Sequence, residues 1–317
     1  MLKVLITGIS GFVGSHFADF LLEQGQEVYG TIRPRSKMDN IKHLEGKIKL
    51  YDCNILDTVS VMNTVKEIKP DIISHLAAQS FVPTSWKSPQ DTLQTNIIGT
   101  VNILEAVREY CPECIVHIAG SSEEYGMVYE SELPIKETNP LRPLSPYGVS
   151  KVAQDLLGQQ YHKSYGLKVI ISRAFNHEGA RRGEVFVTSD FARQVIEVKI
   201  GKREVIEVGN LDAIRDFTNV KDVVRGYKLV IDKGLGGEVY NICSGIGVSI
   251  RELLELFIEA GGLGNNIFMK QIDSKMRPSD VPILVGDNTK IKALGWEPKI
   301  PLNETIKEIL NYWRERK

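Results

Sequence analysis

The chain has 317 residues, 42% of them hydrophobic and 25% charged. That length suits one large α/β domain with a smaller appendage, able to bury a core without disulfides or metal. Its 39 basic and 40 acidic residues leave a net charge of −1, so no overall field draws in nucleic acid or an anionic membrane, and an anionic ligand has to be gripped by locally placed arginines.

In chain order, Lys3–Thr7 is predicted to be a buried strand and Ser15–Glu23 a helix with Phe17, Ala18, Leu21 and Leu22 on one face. Strands are expected at Glu27–Thr31 and Lys47–Tyr51, a helix at Ser60–Ile68 and a strand at Asp71–Leu76. A helix over Asn96–Arg108, a strand over Ile115–Ala119, a long helix over Tyr147–Tyr161 and a strand over Lys168–Ser172 follow. Strands and helices alternating at this spacing predict parallel strands with crossover helices, a doubly wound Rossmann sheet. Residues 1–175 are therefore expected to bind a dinucleotide, and 176–317 to form mainly a smaller substrate lobe, with some segments returning to the sheet. In that second part Asn176–Val187 and Gln271–Asp287 read as loop-rich segments, and Ile250–Ala260 and Leu302–Arg314 as helices.

The opening MLKVLITG is too short for a signal peptide or a membrane span, and no later stretch reaches the roughly 18 apolar residues a spanning helix needs. Cys53, Cys111, Cys114 and Cys243 read as reduced structural thiols, because Cys111-Pro-Glu-Cys114 has no second pair or spaced histidines to complete a zinc site. A cytoplasmic location is the expectation.

Gly8-Ile9-Ser10-Gly11-Phe12-Val13-Gly14 is a G-x-x-G-x-x-G run directly after a strand and opening a helix. Glycine permits a tight turn and lets backbone approach a pyrophosphate, and the helix N-terminus adds amides and a dipole. Glycine triplets alone also make plain turns; the coincidence of strand, loop and amphipathic helix points to a cofactor. The second strand then selects the cofactor. An acidic residue at its end would bind the ribose 2′-hydroxyl of NAD, whereas this one runs into Arg33-Pro34-Arg35-Ser36-Lys37. Cations and a hydroxyl suit a 2′-phosphate, so NADP is expected, with NAD still possible and a solvated basic loop the plainer reading. Asn54 and Ile55, after the third strand, are expected near the adenine. Leu76, Ala77 and Ala78 are expected to line the cofactor at the end of the fourth.

Tyr147-Gly148-Val149-Ser150-Lys151 sets a phenol and an ammonium at i and i+4 on one helix face. A phenol titrates near 10, and a neighbouring ammonium lowers that value by favouring the phenolate. Ser121-Ser122-Glu123-Glu124 follows a strand end, where a hydroxyl can hydrogen-bond a reacting sugar oxygen.

Together Gly8, Gly11, Gly14, Ser121, Tyr147 and Lys151 resemble the extended short-chain dehydrogenase/reductase superfamily. More narrowly, the chain resembles its GDP-mannose 4,6-dehydratase and GDP-4-keto-6-deoxymannose reductase branch, over essentially its whole length. The most specific segments are Ser122-Glu123-Glu124-Tyr125-Gly126, Arg142 to Tyr147, Asn176-His177-Glu178, Arg181-Arg182-Gly183-Glu184, Gly209 to Asp216 and Arg277 to Val281. The resemblance implies Tyr147 as the base for the sugar 4-hydroxyl, tuned by Lys151. Ser121 stands where the dehydratases usually carry threonine, and Glu123 matches the glutamate that takes the C5 proton and assists loss of the C6 hydroxyl. It further implies that Ser85 contacts the sugar, that Asn176, Arg182, Arg215 and Arg277 bind the nucleotide diphosphate part of the substrate, and that Val187 also belongs to the substrate site. The substrate it implies is a GDP-sugar, and the assembly a homodimer or homotetramer.

The reductase shares the Ser-Ser-Glu-Glu-Tyr-Gly segment and needs no C5 base, so it stands as the alternative, with a 4-epimerase third. A non-catalytic, NADP-sensing member of the superfamily would be expected to have lost Tyr147 or Lys151, and both are present.

Overall fold

The structure is a computed structural model describing residues 1–264, 267–276 and 278–316. β1 (Lys3–Thr7) leads through the glycine loop into α1 (Phe12–Glu23), then β2 (Glu27–Ile32), β3 (Lys49–Asp52), α2 (Thr58–Ile68) and β4 (Ile72–His75). Two short helices, α3 (Val82–Lys87) and α4 (Pro89–Leu93), precede a π-helical turn at Gln94–Ile98 that runs into α5 (Gly99–Tyr110). β5 (Ile115–Ser121), α6 (Pro146–Tyr165) and β6 (Lys168–Ala174) complete the first part.

All these strands pair in parallel, in the order β3-β2-β1-β4-β5-β6. The order reverses beside β1, which opens a crevice at the strand C-termini where the glycine loop lies. Short β-branched runs explain the strands: Val4, Leu5 and Ile6 are fully buried, as expected where both faces of a parallel sheet are covered. One face packs Phe17, Ala18 and Leu21 of α1; the other packs Val61, Val65, Ile103 and Leu104 from α2 and α5.

The second part contributes β7 (Asn176–Glu178), α7 (Val187–Lys199), β8 (Val205–Val208), β9 (Ile214–Asn219), α8 (Val220–Lys233) and β10 (Val239–Ile242). β11 (Gly247–Ser249), α9 (Ile250–Gly261), β12 (Phe268–Gln271), β13 (Ile283–Leu284), α10 (Thr289–Ala293) and α11 (Leu302–Arg314) follow. β10 joins β6 as a seventh parallel strand, and α8 packs Val220, Val223, Val224 and Tyr227 into the core beside α1. A separate core gathers α7, α9 and α11 around Phe191, Leu254, Phe257 and Ile309.

Two differences from the sequence expectation are physical. The loop-rich Asn176–Val187 segment starts on a strand and ends on a helix that its composition did not signal: Asn176–Glu178 pairs with Phe217–Asn219, and Val187 opens a helix. The long helix reaches Tyr165, four residues past the expected end, and stops at Gly166 in the left-handed region, φ 73°, which glycine adopts without cost.

Candidate active site

The glycine loop is built to bring backbone close to a ligand. Gly8 sits at φ +72°, and a Cβ there would press on the Ala77 backbone at 3.0 Å. A Cβ on Gly14 would meet the Gly8 carbonyl oxygen at 2.5 Å, so only glycine lets α1 begin this near the turn. Gly11 caps α1 without a side chain, leaving the first amides of the helix aimed at the crevice. Thr7 ties the loop to β4: its hydroxyl oxygen accepts from the Leu76 and Ala77 amides at 3.1 Å each and meets His75 Nδ1 at 2.8 Å. The small half-buried Ala77 and Ala78 therefore face the same crevice as the loop. Phe12 and Val13, half-buried in the first turn of α1, border it. These features fit a dinucleotide pyrophosphate.

At the end of β2 the Ser36 hydroxyl accepts from the Arg33 amide at 3.0 Å, and the Ser36 amide donates to the Arg33 carbonyl at 3.0 Å. Arg35, at φ 67°, is turned out of this tight bend, and both arginines are exposed. Asn40 closes the other side by donating to the Ser10 carbonyl at 3.2 Å. Asn54 is exposed and accepts from the Leu56 amide at 3.2 Å, while Ile55 is buried beneath the same turn.

The chemistry-bearing groups meet where β5 ends against the first turn of α6. Ser145 caps α6, accepting from the Gly148 amide at 3.0 Å, and Pro146 opens it. This sets Tyr147 and Lys151 on the inner face, 8% and 4% exposed. The Ser121 hydroxyl lies within hydrogen-bonding reach of the Tyr147 phenol and also accepts from the Glu123 amide at 3.2 Å. Glu123, half-buried, is close enough for its charge to act on the phenol. Arg182 carries charge toward the same phenol; its guanidinium lies 4.1 Å from the centre of the Phe186 ring and 5.1 Å from that of Phe12, with Glu178 at 2.9 Å.

The electrostatics differ from the expectation in one respect. Burial pushes the Tyr147 phenol above its ordinary value, Ser121 pulls it down, and Glu123 adds to the rise. Lys151 is not among the main influences on it: its ammonium stands 5.8 Å from the ring centre and donates to the Ala119 carbonyl at 2.7 Å. Burial in turn lowers Lys151 to about 8, opposed by the negative charge of Glu124.

The remaining expected residues fall in different surroundings. Ser85 is fully buried and donates to the Val82 carbonyl at 2.7 Å. Asn176 begins β7, half-buried, and Val187 opens α7. Arg215, 6% exposed on β9, donates to the Ile214 carbonyl at 2.8 Å and pairs with Asp280 at 2.8 Å. Arg277 lies outside the described residues. Sequence reasoning missed Thr7, whose signal was its place as the last strand residue before the first glycine. It also missed Asp216, whose buried carboxylate accepts from the Ser244 and Gly245 amides at 2.7 and 2.8 Å and holds the turn behind Arg215.

A family model described as GDP-mannose 4,6 dehydratase matches residues 5–309. The chain belongs to the GDP-mannose 4,6 dehydratase family. It is thereby an enzyme of the extended short-chain dehydrogenase/reductase type, as the glycine loop and the Tyr147–Lys151 pair already indicated. A GDP-mannose 4,6-dehydratase of Yersinia enterocolitica is 33% identical, over 98% of this chain and 93% of the relative. A GDP-6-deoxy-D-mannose reductase of Pseudomonas aeruginosa is also 33% identical, over 99% of this chain and 98% of the relative. Among solved structures, RMD from Pseudomonas aeruginosa complexed with NADPH superposes with a TM-score of 0.86 at 31% identity, each chain covered in full.

Proposed function

We propose that this enzyme is a nucleotide-sugar 4,6-dehydratase that converts GDP-mannose to GDP-4-keto-6-deoxymannose and keeps its NADP throughout. The observation that carries this reading is the meeting of Ser121, Glu123 and Tyr147 at one seam, within a family whose model spans nearly the whole chain. A nicotinamide held there would supply hydride acceptance from C4 and hydride return to C6. The chain supplies position and proton transfer. Tyr147 takes the C4 hydroxyl proton, with Ser121 holding that oxygen in line. The resulting ketone acidifies the C5 hydrogen; Glu123 removes it and passes a proton to the departing C6 hydroxyl, and C5 regains a proton as hydride returns to C6, the proton held by Tyr147 leaving to solvent to close the cycle. Lys151 anchors the cofactor ribose beside the phenol. Arg33, Arg35 and Ser36 receive the 2′-phosphate, and Asn176, Arg182, Arg215 and Arg277 receive the GDP portion.

A second reading has its own support. Burial pushes the Tyr147 phenol above its ordinary value, a direction that suits donation of a proton to a 4-ketone, the step a GDP-6-deoxymannose reductase performs. Mass spectrometry of GDP-mannose incubated with the enzyme and a trace of NADP⁺ separates the two. The expected outcome is loss of one water with no net cofactor consumption. Inert GDP-mannose, together with stoichiometric NADPH oxidation by the 4-keto-6-deoxy compound, would replace the dehydratase with the reductase.

No helix among the described residues is long and apolar enough to cross a membrane, and we place the enzyme in the cytoplasm. The exposed apolar side chains Ile98, Val149 and Leu156, on the π-helical turn before α5 and on α6, support assembly through this helical face as a homodimer, or as a homotetramer built on that dimer. Light scattering on the purified enzyme tests this, a monomer being the opposing result.

A further inference from the structure

Ser121 and Glu123 sit on a single turn of 3-10 helix, Ser122–Glu124. One such turn does not hold itself in place, yet acid–base groups need placement within about 0.5 Å of the productive geometry. Glu124, which has no part in the proposed chemistry, is fully buried beneath the turn. One of its carboxylate oxygens accepts from the Ser121 amide at 2.7 Å, and the other meets Arg173 Nε at 3.1 Å. Arg173, also buried, pairs with Asp155 at 2.7 Å and donates to the Tyr125 hydroxyl and the Glu137 carbonyl at 3.1 Å each.

Asp155 stands on α6 four residues after Lys151 and eight after Tyr147, on the same helical face. A chain of charged contacts thus runs from the Ser121 backbone through Glu124, Arg173 and Asp155 to the helix that carries Tyr147. Two glycines make room for it. A Cβ on Gly120 would strike Glu124 Oε1 at 2.5 Å, and one on Gly148 would strike the Glu123 carbonyl oxygen at 2.6 Å. A buried ion pair is a poor way to gain stability, since apolar side chains of similar volume often do better. Here two carboxylates also share one guanidinium; burial and the Asp155 charge together push Glu124 up to about 8.

We propose that Glu124 is a positioning residue, fixing the Ser121–Glu123 turn against Tyr147 through the Ser121 amide and the Arg173 guanidinium. This rests on the reading of Ser121, Glu123 and Tyr147 as the catalytic groups. The test compares Glu124→Leu with Glu124→Gln in the full-length enzyme. Leucine removes both contacts and leaves Arg173 and Asp155 paired one to one, while glutamine keeps an acceptor for the Ser121 amide.

Amide hydrogen exchange across residues 115–125 reads the placement directly, with no substrate. Exchange at Ser121 is expected to speed up by roughly a factor of ten in Glu124→Leu, the loss of one charge-assisted hydrogen bond, and to stay near wild type in Glu124→Gln. In the turnover assay Glu124→Leu is expected to lose roughly 10²-fold in kcat, the cost of a misplacement of about 1 Å. KM and NADPH binding should be little changed, and Glu124→Gln should recover most of the rate. Unchanged exchange in Glu124→Leu, or a glutamine variant as impaired as the leucine one, would overturn the proposal. A wild-type enzyme inactive on both GDP-mannose and the 4-keto-6-deoxy compound would instead sink the catalytic reading, and the exchange data would still decide the role of Glu124.

Discussion

The seam between β5 and α6 and the loop after β2 serve the same proposed reaction under opposite physical conditions. At the seam, Ser121, Tyr147 and Lys151 are nearly inaccessible and backed by buried charge. At the loop, Arg33 and Arg35 stand in solvent, and the turn is held by Ser36 alone on its own side. Proton transfer requires placement, so its groups are fixed from several directions. Reading the charge of a 2′-phosphate requires cations within reach, and two flexible guanidinium groups suffice.

Substitutions at the two regions should therefore differ in size and kind. The largest effect is expected from Tyr147→Phe, which removes the proton-transferring oxygen and leaves the ring packing in place. Turnover should fall by roughly 10²–10⁴, the usual value of general acid–base help, while NADPH binding measured by fluorescence stays intact. A variant with normal turnover would remove Tyr147 from the chemistry. Next comes Glu123→Gln, which should slow water loss by roughly 10²-fold, the lower end of general acid–base help, while sparing oxidation at C4. Transient NADPH absorbance ahead of dehydrated product is the signature to look for, and undiminished dehydration would return the C5 step to another group.

At the exposed loop the effect should be smaller and confined to binding. Arg35→Ala is expected to weaken NADP by about 1.5–3 kcal/mol, one hydrogen bond to a charged group, and to leave NAD nearly unchanged. Equal losses for both cofactors would mean that the loop does not read the phosphate, and the contrast between the two regions would collapse.

This contrast also explains what was legible in the sequence. The first half could be read nearly residue by residue, because strands buried on both faces are short apolar runs and the glycines mark the turn between them. The second half was not. α8 was missed although Val220, Val223, Val224, Tyr227, Val230 and Ile231 follow helical spacing; β-branched valines and Gly226 weaken the local propensity, and packing against α1 overrides it. β7 and β9 were missed because strands of three and six residues are stabilised by their partners rather than by their own composition. At the candidate site, Tyr147 and Lys151 were singled out by their i, i+4 spacing and Ser121 by its place at a strand end, and the fold brings the three to one seam. Glu124 lay in the same motif, but its role depends on Arg173, 49 residues away, a pairing that only the fold creates. The placement of Lys151 was likewise not legible: i and i+4 share a helical face, but only the fold shows that Lys151 donates to the Ala119 carbonyl across the seam.

The smallest predicted effect concerns stability and distinguishes the two sides of the seam. Burial lowers His16, His75, His117 and His177 to about 4, 3, 3 and 4 from an ordinary 6.5. They stay neutral in the folded chain while the unfolded chain protonates them below pH 6.5, so their contribution is present above that pH and is lost as the pH falls toward 4. Glu124 acts in the opposite sense. Raised from 4.5 to about 8, it holds a proton more readily in the folded chain than in the unfolded one, so its contribution is present below pH 4.5 and is lost as the pH rises toward 8. The four lowered histidines outnumber the raised carboxyls Glu124, Glu178 and Asp216, so stability should decline on the acid side more steeply than on the alkaline side, with its maximum near the ordinary histidine value, about pH 6.5. Urea midpoints measured across pH 5 to 8 test this. Glu124→Leu should lessen the alkaline decline and leave the acid one, and an alkaline decline unchanged by the substitution would move its origin away from the charges beneath the catalytic turn.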